Sequence, residues 1–337
     1  MRRRLLIVLA AFFYYSGFVL IAIWWRRLSS RRLIILNYHR ATGGDLRQHM
    51  LYLRRHYHIV HLEDGLEDLY SSLGNRKRND RRTQLVMTFD DGYRDNYTHA
   101  FELARDLHVP ITIFLPPSYI ESGDNYWWLE GERLVRHAQV DKVIVEKGTY
   151  HLKDEKDRKA LVEMIFVHLR NAKSVAERED FLSDMQTALA VTASFTPEEE
   201  LMLPMSWKQI YEMDCCGLVT FGAHTMHHPV LSSLEDPDEV QYEVRGCRTV
   251  LEQKLGHPVR SFAYPIGKPQ DIGEEALCAV KEAGFSWAFT TVSGVNTPQS
   301  NPYQLLRVPV DVSQHWLPMA ALVSGVWQFF SPLWTQL

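Results

Sequence analysis

Two stretches of the chain carry acids and imidazoles to the ends of apolar runs, residue types from which a divalent-metal site could be built. In Leu85-Val86-Met87-Thr88-Phe89-Asp90-Asp91-Gly92-Tyr93 an apolar, β-branched and aromatic run reads as a buried strand that stops at two adjacent carboxylates. Such a pair repels itself and costs free energy to desolvate, which implies a cation, a proton or a chemical task. The competing reading is a solvated strand-to-loop turn, where Asp is common. In Thr220-Phe221-Gly222-Ala223-His224-Thr225-Met226-His227-His228-Pro229 a second apolar strand ends in histidines. Pro229 pushes His228 away from helical geometry, so His224 and His228 sit on a turn. Two imidazoles and one carboxylate are enough for a catalytic metal centre that keeps a position open for water. On geometry alone His227 is a rival for His228. A third stretch, Ser261-Phe262-Ala263-Tyr264-Pro265-Ile266-Gly267-Lys268, ends a strand in a Pro/Gly turn of the kind that can aim backbone N–H groups at a developing oxyanion. Taken alone it is an ordinary loop.

These residues need a frame that brings strand ends together. Strands are expected at Leu33–Asn37, His58–His61, Leu85–Phe89, Ile111–Leu115, Leu218–Gly222, Arg260–Ala263, Ser286–Thr290 and Leu306–Val310, with helical patterns between most of them. Leu46–Arg55 and Asn96–Leu107 are amphipathic. Ser206 and Gln209 stand in capping-box spacing before a helix that stops at Gly217, and Pro237 opens another that ends at Gly256. A further helix, Glu274–Ala283, closes at Gly284. Repeated strand–helix units imply parallel strands with helices outside them. About seven or eight strands suit a distorted (β/α) barrel, with an open doubly wound sheet as the alternative.

The rhythm breaks between about 126 and 205, where no parallel-sheet strand is evident. Lys142–Lys153 reads as a hairpin turning at Lys147-Gly148. Helical patterns follow at Asp157–Arg170 and Val175–Leu189, and Thr196 caps a third. This is a mostly helical insertion, either shaping a groove or serving only as structural elaboration.

With 337 residues the chain has ample material for a core, and nothing in its net charge of −4 argues for a nucleic-acid partner across the whole protein. Four cysteines without CxxC spacing argue against a zinc ribbon or a disulfide framework. Leu5 to Trp25 is apolar and flanked by Arg2-Arg3-Arg4 and Arg26-Arg27, enough for one retained membrane helix with an interfacial Trp pair. Residues 1–31 are therefore expected to be a single-pass anchor in a bacterial cell membrane, residues 32–315 the barrel, and 316–337 an apolar tail. The arginines nearly balance, so the side of the membrane is not given. The tail reads equally as an interfacial segment or as core.

The first two motifs, with the third, resemble the polysaccharide deacetylase family (carbohydrate esterase family 4, the NodB-homology domain). Thr88-Phe89-Asp90-Asp91-Gly92 is similar to its first motif and His224-Thr225-Met226-His227-His228 to its second. Phe262 to Gly267 resembles the third, and Leu305 to Val310 looks like the closing strand of exopolysaccharide-processing members. The resemblance spans roughly Leu33 to Val312. It implies metal-dependent removal of N-acetyl groups from an amino-sugar polysaccharide, with Asp90 as general base and Asp91, His224 and His228 as ligands of a divalent ion, zinc foremost. Tyr93, Tyr264, Pro265, Ile266 and Gly267 are then the substrate and oxyanion candidates. The third motif departs from the family: where the family carries an Arg and a Tyr, this chain has Ala263 and Ile266. Arg307 is a candidate to replace the Arg in orienting the base. No late Leu-x-His motif supplies the general acid. His39, at the end of the first strand, is the candidate for that role, against a packed structural histidine. The rival readings are an inactive, membrane-tethered glycan-binding barrel and an amidase acting on small cyclic amides.

Overall fold

The computed structural model describes residues 2–28, 31–71, 80, 82–145, 148–192 and 195–327. Its frame is one all-parallel sheet of β1 (Leu33–Tyr38), β2 (His58–Ile59), β3 (Gln84–Phe89), β4 (Ile111–Leu115), β7 (Val219–Ala223), β8 (Ser261–Ala263), β9 (Trp287–Phe289) and β10 (Val308–Pro309). A separate antiparallel hairpin, β5 (Lys142–Val145) and β6 (Gly148–His151), lies in the insertion. The order across the sheet is β10-β1-β3-β4-β7-β8-β9, with β2 also on β3. The sheet is curled, and the stretch leading into β10 links its two ends. There Leu305 bridges Phe289 of β9 while Val308 pairs with Leu36 of β1.

The alternation of side chains along each strand sorts them between two apolar clusters. Ile34, Leu36 and Tyr38 of β1, Leu85, Met87 and Phe89 of β3, and Ile111, Ile113 and Leu115 of β4 pack with the surrounding helices. The opposite parity, Leu33, Ile35, Val86 and Phe114, meets Ala263, Phe289 and Leu305 across the inside of the curl, with Leu62, Leu66 and Leu69 of helix Leu62–Tyr70. Asp90 continues the parity of Val86 and Thr88 and follows them inward.

All eight expected sheet strands are present within a residue or two. The Ser206–Gln209 capping box closes with both of its bonds, and Gly256 ends its helix in the left-handed conformation. The expected helix Asn96–Leu107 begins as a π-helical turn over Asn96–Phe101. The helix expected at Glu274 starts earlier, at Pro269, and kinks at Gly273. The insertion has its own core, in which Tyr126, Trp127, Leu134, Leu161, Ile165 and Leu189 are buried together. Lys147, in the expected hairpin turn, lies outside the described residues.

At the N-terminus the expected single membrane helix is corrected to two helices, Arg2–Tyr15 and Phe18–Leu28, meeting at 63°. Gly17 adopts φ +86° there and the Ser16 hydroxyl donates to the Phe12 carbonyl at 2.6 Å, which ends the first helix. No single helix among the described residues is long and apolar enough to cross a membrane. Ala10, Val19, Ala22 and Ile23 face inward and join the main core cluster, which also holds Leu317, Met319 and Val323 of the C-terminal helix Trp316–Ser324. The tail to residue 327 is thus packed core, and 328–337 lie outside the described residues.

Candidate active site

β3 delivers the two acids by a turn that few residues can make. Asp91 (φ +72°) and Gly92 (φ +70°) are successive left-handed residues, so the chain swings away from the strand and Asp90 and Asp91 part company. A Cβ on residue 92 would sit 2.7 Å from the tip of the Leu115 side chain, which would have to shift, and the positive φ favours glycine there. Asp90 continues inward and Asp91 turns to the histidines.

β7 delivers those histidines through a second strained turn, with Thr225 at φ +62° and His228 at φ +53°. Strain of this kind persists only where the surroundings fix it, and it gathers at functional sites. The Thr225 hydroxyl accepts from the His228 N–H at 3.0 Å and donates to the His224 carbonyl, tying the two histidines together. His224 Nδ1 lies 2.7 Å from the Ala263 carbonyl oxygen at the end of β8. A carbonyl only accepts, so in the neutral ring Nδ1 carries the proton and Nε2 keeps its lone pair toward the site. That Nε2 is 3.4 Å from Asp91 Oδ1, and His228 Nε2 is 3.5 Å from the same oxygen.

One ligand atom from each of Asp91, His224 and His228 lies within 4.8 Å of the others, and all three residues are buried. Asp91 Oδ1 and His228 Nδ1 are buried without a hydrogen-bond partner among the described residues. A buried carboxylate oxygen left this way between two imidazoles fits a cation, and a carboxylate with two imidazoles suits zinc or another first-row divalent ion. Burial raises the Asp91 carboxyl, but His224, His228 and His39 outweigh it and hold it well below the ordinary range. Burial pushes His228 down to about 3, and the charge of His224 adds to the effect. The ring is therefore neutral and able to bind a metal near neutral pH. His227 is placed elsewhere: its Nδ1 meets Glu243 at 2.6 Å, outside the cluster.

Asp90 occupies the other half of the site. It is 1% exposed, and Arg307, fully buried, donates Nη1 to Oδ1 at 2.7 Å and Nη2 to Oδ2 at 2.8 Å. Arg307 is itself oriented by the Thr290 carbonyl through Nε at 2.9 Å and by the Thr88 hydroxyl at 3.3 Å. Burial raises the Asp90 carboxyl, but Arg307 and His224 overcome this and leave it below the ordinary carboxylate range.

The remaining candidates divide. His39 is exposed at the end of β1 and is among the charges acting on both acids, so it is no packed structural histidine. Tyr93 is buried, takes the Trp128 indole N–H on its hydroxyl at 2.8 Å, and packs edge-on against Tyr126. Tyr264 is corrected as a side-chain contact: strand alternation carries its ring fully buried into the core against Phe262, with its hydroxyl donating to the Tyr303 carbonyl. Pro265 is buried. Ile266 stands at φ +59° beside Gly267 at φ +67°, and among the described residues no acceptor takes the Ile266 N–H.

Sequence reasoning passed over the wall contributed by the insertion. Tyr126 donates to the Asp91 carbonyl at 2.6 Å, Trp127 Nε1 donates to the His228 carbonyl at 2.8 Å, and the Trp128 and His228 ring centroids are 4.2 Å apart. Three successive aromatics at the head of the insertion were the available signal.

The family model for polysaccharide deacetylase matches residues 77–288. No curated protein matches the sequence closely enough to stand as a relative. Among solved structures, IcaB from Ammonifex degensii is similar at 20% identity with a TM-score of 0.56, the match covering 88% of this chain and 98% of that one. The Streptococcus pyogenes deacetylase PplD, solved with acetate, gives 15% identity and 0.55, over 88% and 99%. The deacetylase domain of BpsB from Bordetella bronchiseptica gives 17% and 0.52, over 83% and 96%. At such identities these likenesses speak for the fold.

Proposed function

We propose a metal-dependent course of reaction for this chain, which belongs to the polysaccharide deacetylase family and is a hydrolase acting on N-acetyl groups of polysaccharides. The observation that carries the proposal is the meeting of Asp91, His224 and His228 beside an Asp90 held at both carboxylate oxygens by Arg307. Asp91, His224 and His228 would hold the ion, zinc by the character of its donors. Once bound, a divalent metal acidifies water and polarises an acetamide carbonyl.

The chain's own residues supply the rest. Asp90, ionised at neutral pH, accepts the proton of the attacking water, and Arg307 fixes the carboxylate's direction. The Ile266 N–H donates to the oxyanion as the carbonyl carbon becomes tetrahedral. His39, at the exposed end of β1, returns a proton to the leaving amine. Trp127 and Trp128 hold the His228 side of the site, and Tyr93 and Tyr126 keep water from its flank. The glycan-binding rival rests on the missing arginine of the third motif and the missing late histidine; Arg307 on Asp90 supports the hydrolytic reading on the first count, and the exposed His39 is the candidate on the second.

The N-terminal helix pair fits attachment to a membrane. Its outer face exposes Val8, Phe12, Ile21, Trp24 and Trp25 while its inner face is packed on the barrel. The decisive experiment for the activity is acetate release from N-acetylglucosamine oligomers by protein loaded with defined metals. Asp90→Asn and His224→Ala are each expected to abolish release; release unchanged in either variant overturns the proposal.

A further inference from the structure

The exposed face of the N-terminal helix pair runs directly into a basic rim. On helix Phe18–Leu28, Leu20, Trp24 and Arg27 follow one another at helical spacing and all are exposed. Arg27 reaches the C-terminal end of helix Leu46–His56, where its Nη2 donates to the His56 carbonyl at 3.1 Å. Arg82 reaches the same end from the stretch before β3, donating Nη1 to the Arg54 carbonyl at 2.7 Å. Arg54 and Arg55 are exposed there. Such bonds satisfy the last carbonyls of a helix, but a carbonyl leaves the charge of a guanidinium uncancelled. Arg82 has Asp80 at 2.6 Å, whereas among the described residues no carboxylate pairs with Arg27, Arg54 or Arg55. His56 lies within this excess of charge: burial lowers its imidazole, and Arg55, Arg27 and Arg82 lower it further.

Two further relations bear on what covers this surface. At the same end of the helix, Tyr52 Oη, His56 Nε2 and Tyr57 Oη are buried without a hydrogen-bond partner among the described residues. A partner that brings oxygens and water suits such groups better than a dry one. A second copy docked through a two-fold axis would set the same arginines against these, like charge on like. An anionic phospholipid leaflet supplies hydrocarbon for Leu20, Trp24 and Trp25 and phosphates for the arginines beside them. Arg82 stands just before β3 and Asp90 just after it, so the length of that six-residue strand, about 20 Å, separates this rim from the candidate active site.

We propose that this surface docks on an anionic phospholipid leaflet, with the helix pair lying in its interface and Arg27, Arg54 and Arg55 at the headgroup phosphates. The proposal rests on the membrane reading above and adds the charge of the lipid and the arginines that recognise it.

The test is flotation of the full chain with vesicles of phosphatidylcholine alone and of an equimolar mixture with phosphatidylglycerol. Binding to the mixture is expected to be the stronger and to weaken as salt is added. Arg55→Gln weakens it about fivefold and Arg27→Gln with Arg55→Gln about 25-fold, one arginine's share at each step, while binding to the neutral vesicles stays unchanged. Arg47→Gln, at the opposite end of the same helix and beside Asp106 at 3.8 Å, is the control and keeps wild-type binding. Equal binding to the two kinds of vesicle, wild-type binding in the arginine variants, or a loss in Arg47→Gln as large as in Arg55→Gln overturns the proposal and leaves the membrane reading standing. Binding to neither kind removes both. A dimer in vesicle-free solution that Trp24→Glu separates assigns the face to a second copy and likewise overturns the proposal.

Discussion

Arg307, just ahead of the last strand, holds both carboxylate oxygens of Asp90, at the end of β3, from 217 positions away in the chain. Neither residue is more than 1% exposed. A charge so placed depends on its partner, because removing one member of a buried pair leaves the other uncompensated.

Replacing Arg307 by Met therefore destabilises the fold by about 3–5 kcal/mol, and Asp90→Asn in the same chain recovers much of the loss. Chemical denaturation of the two single variants and the double variant measures the coupling; additive losses would refute it. The sign with pH follows from the direction of the Asp90 shift. A carboxyl lowered by folding contributes stability above its unfolded pKa, and that contribution is lost as pH falls through the folded value. Without Arg307, burial dominates and raises the carboxyl, so the acidic limb of kcat moves to higher pH in Arg307→Met.

Thr225 links His224 and His228, the two histidines proposed to hold the metal, without itself belonging to the proposed ligand set. Thr225→Val deletes the acceptor of the His228 N–H and keeps the unfavourable backbone at φ +62°. Zinc affinity is expected to fall about tenfold or more, the usual cost of losing a group that orients a ligand, whereas Thr225→Ser retains it. Competition with a chromophoric chelator reads both, and equal affinities in the two variants would contradict the role.

His39→Ala is expected to lower kcat for acetate release by about 10²–10⁴-fold, the range of a lost general acid. Zinc content stays at the wild-type level because His39 lies outside the ligand set. Unchanged turnover assigns the proton to another donor.

The exposed N-terminal face predicts that the full chain floats with lipid vesicles. Trp24→Glu combined with Trp25→Glu should release it while acetate release from soluble oligomers persists. Flotation that survives both substitutions points to another contact.

Much of this architecture is legible in the sequence because parallel strands buried on both faces appear as unbroken apolar runs. The eight strands of the sheet stood out for that reason, as did the acids and histidines at their ends. What escaped depends on three-dimensional relations. The break at Gly17 is a matter of backbone torsion, which an apolar composition does not reveal. Tyr264 sits in the same short stretch as Ile266, yet strand alternation sends its ring into the core. The partnership of Arg307 with Asp90 follows from strand order: β10 lies beside β1, and β1 beside β3, and no local pattern encodes that. The aromatic wall of Tyr126 to Trp128 acts across the boundary between the insertion and the barrel.

The closing strand has a consequence for how the enzyme comes into being. Ribosomes add about 5–20 residues per second, so the 217 positions separating Asp90 from Arg307 take about 10–40 s to make. Over the last 79 of those positions, about 4–16 s, the proposed ion ligands Asp91, His224 and His228 have all been made while Asp90 still lacks its counterion. On the proposed roles, competence therefore waits for residue 307, and a nascent chain halted between residues 228 and 307 would hold the proposed ion ligands without the partner of the proposed base.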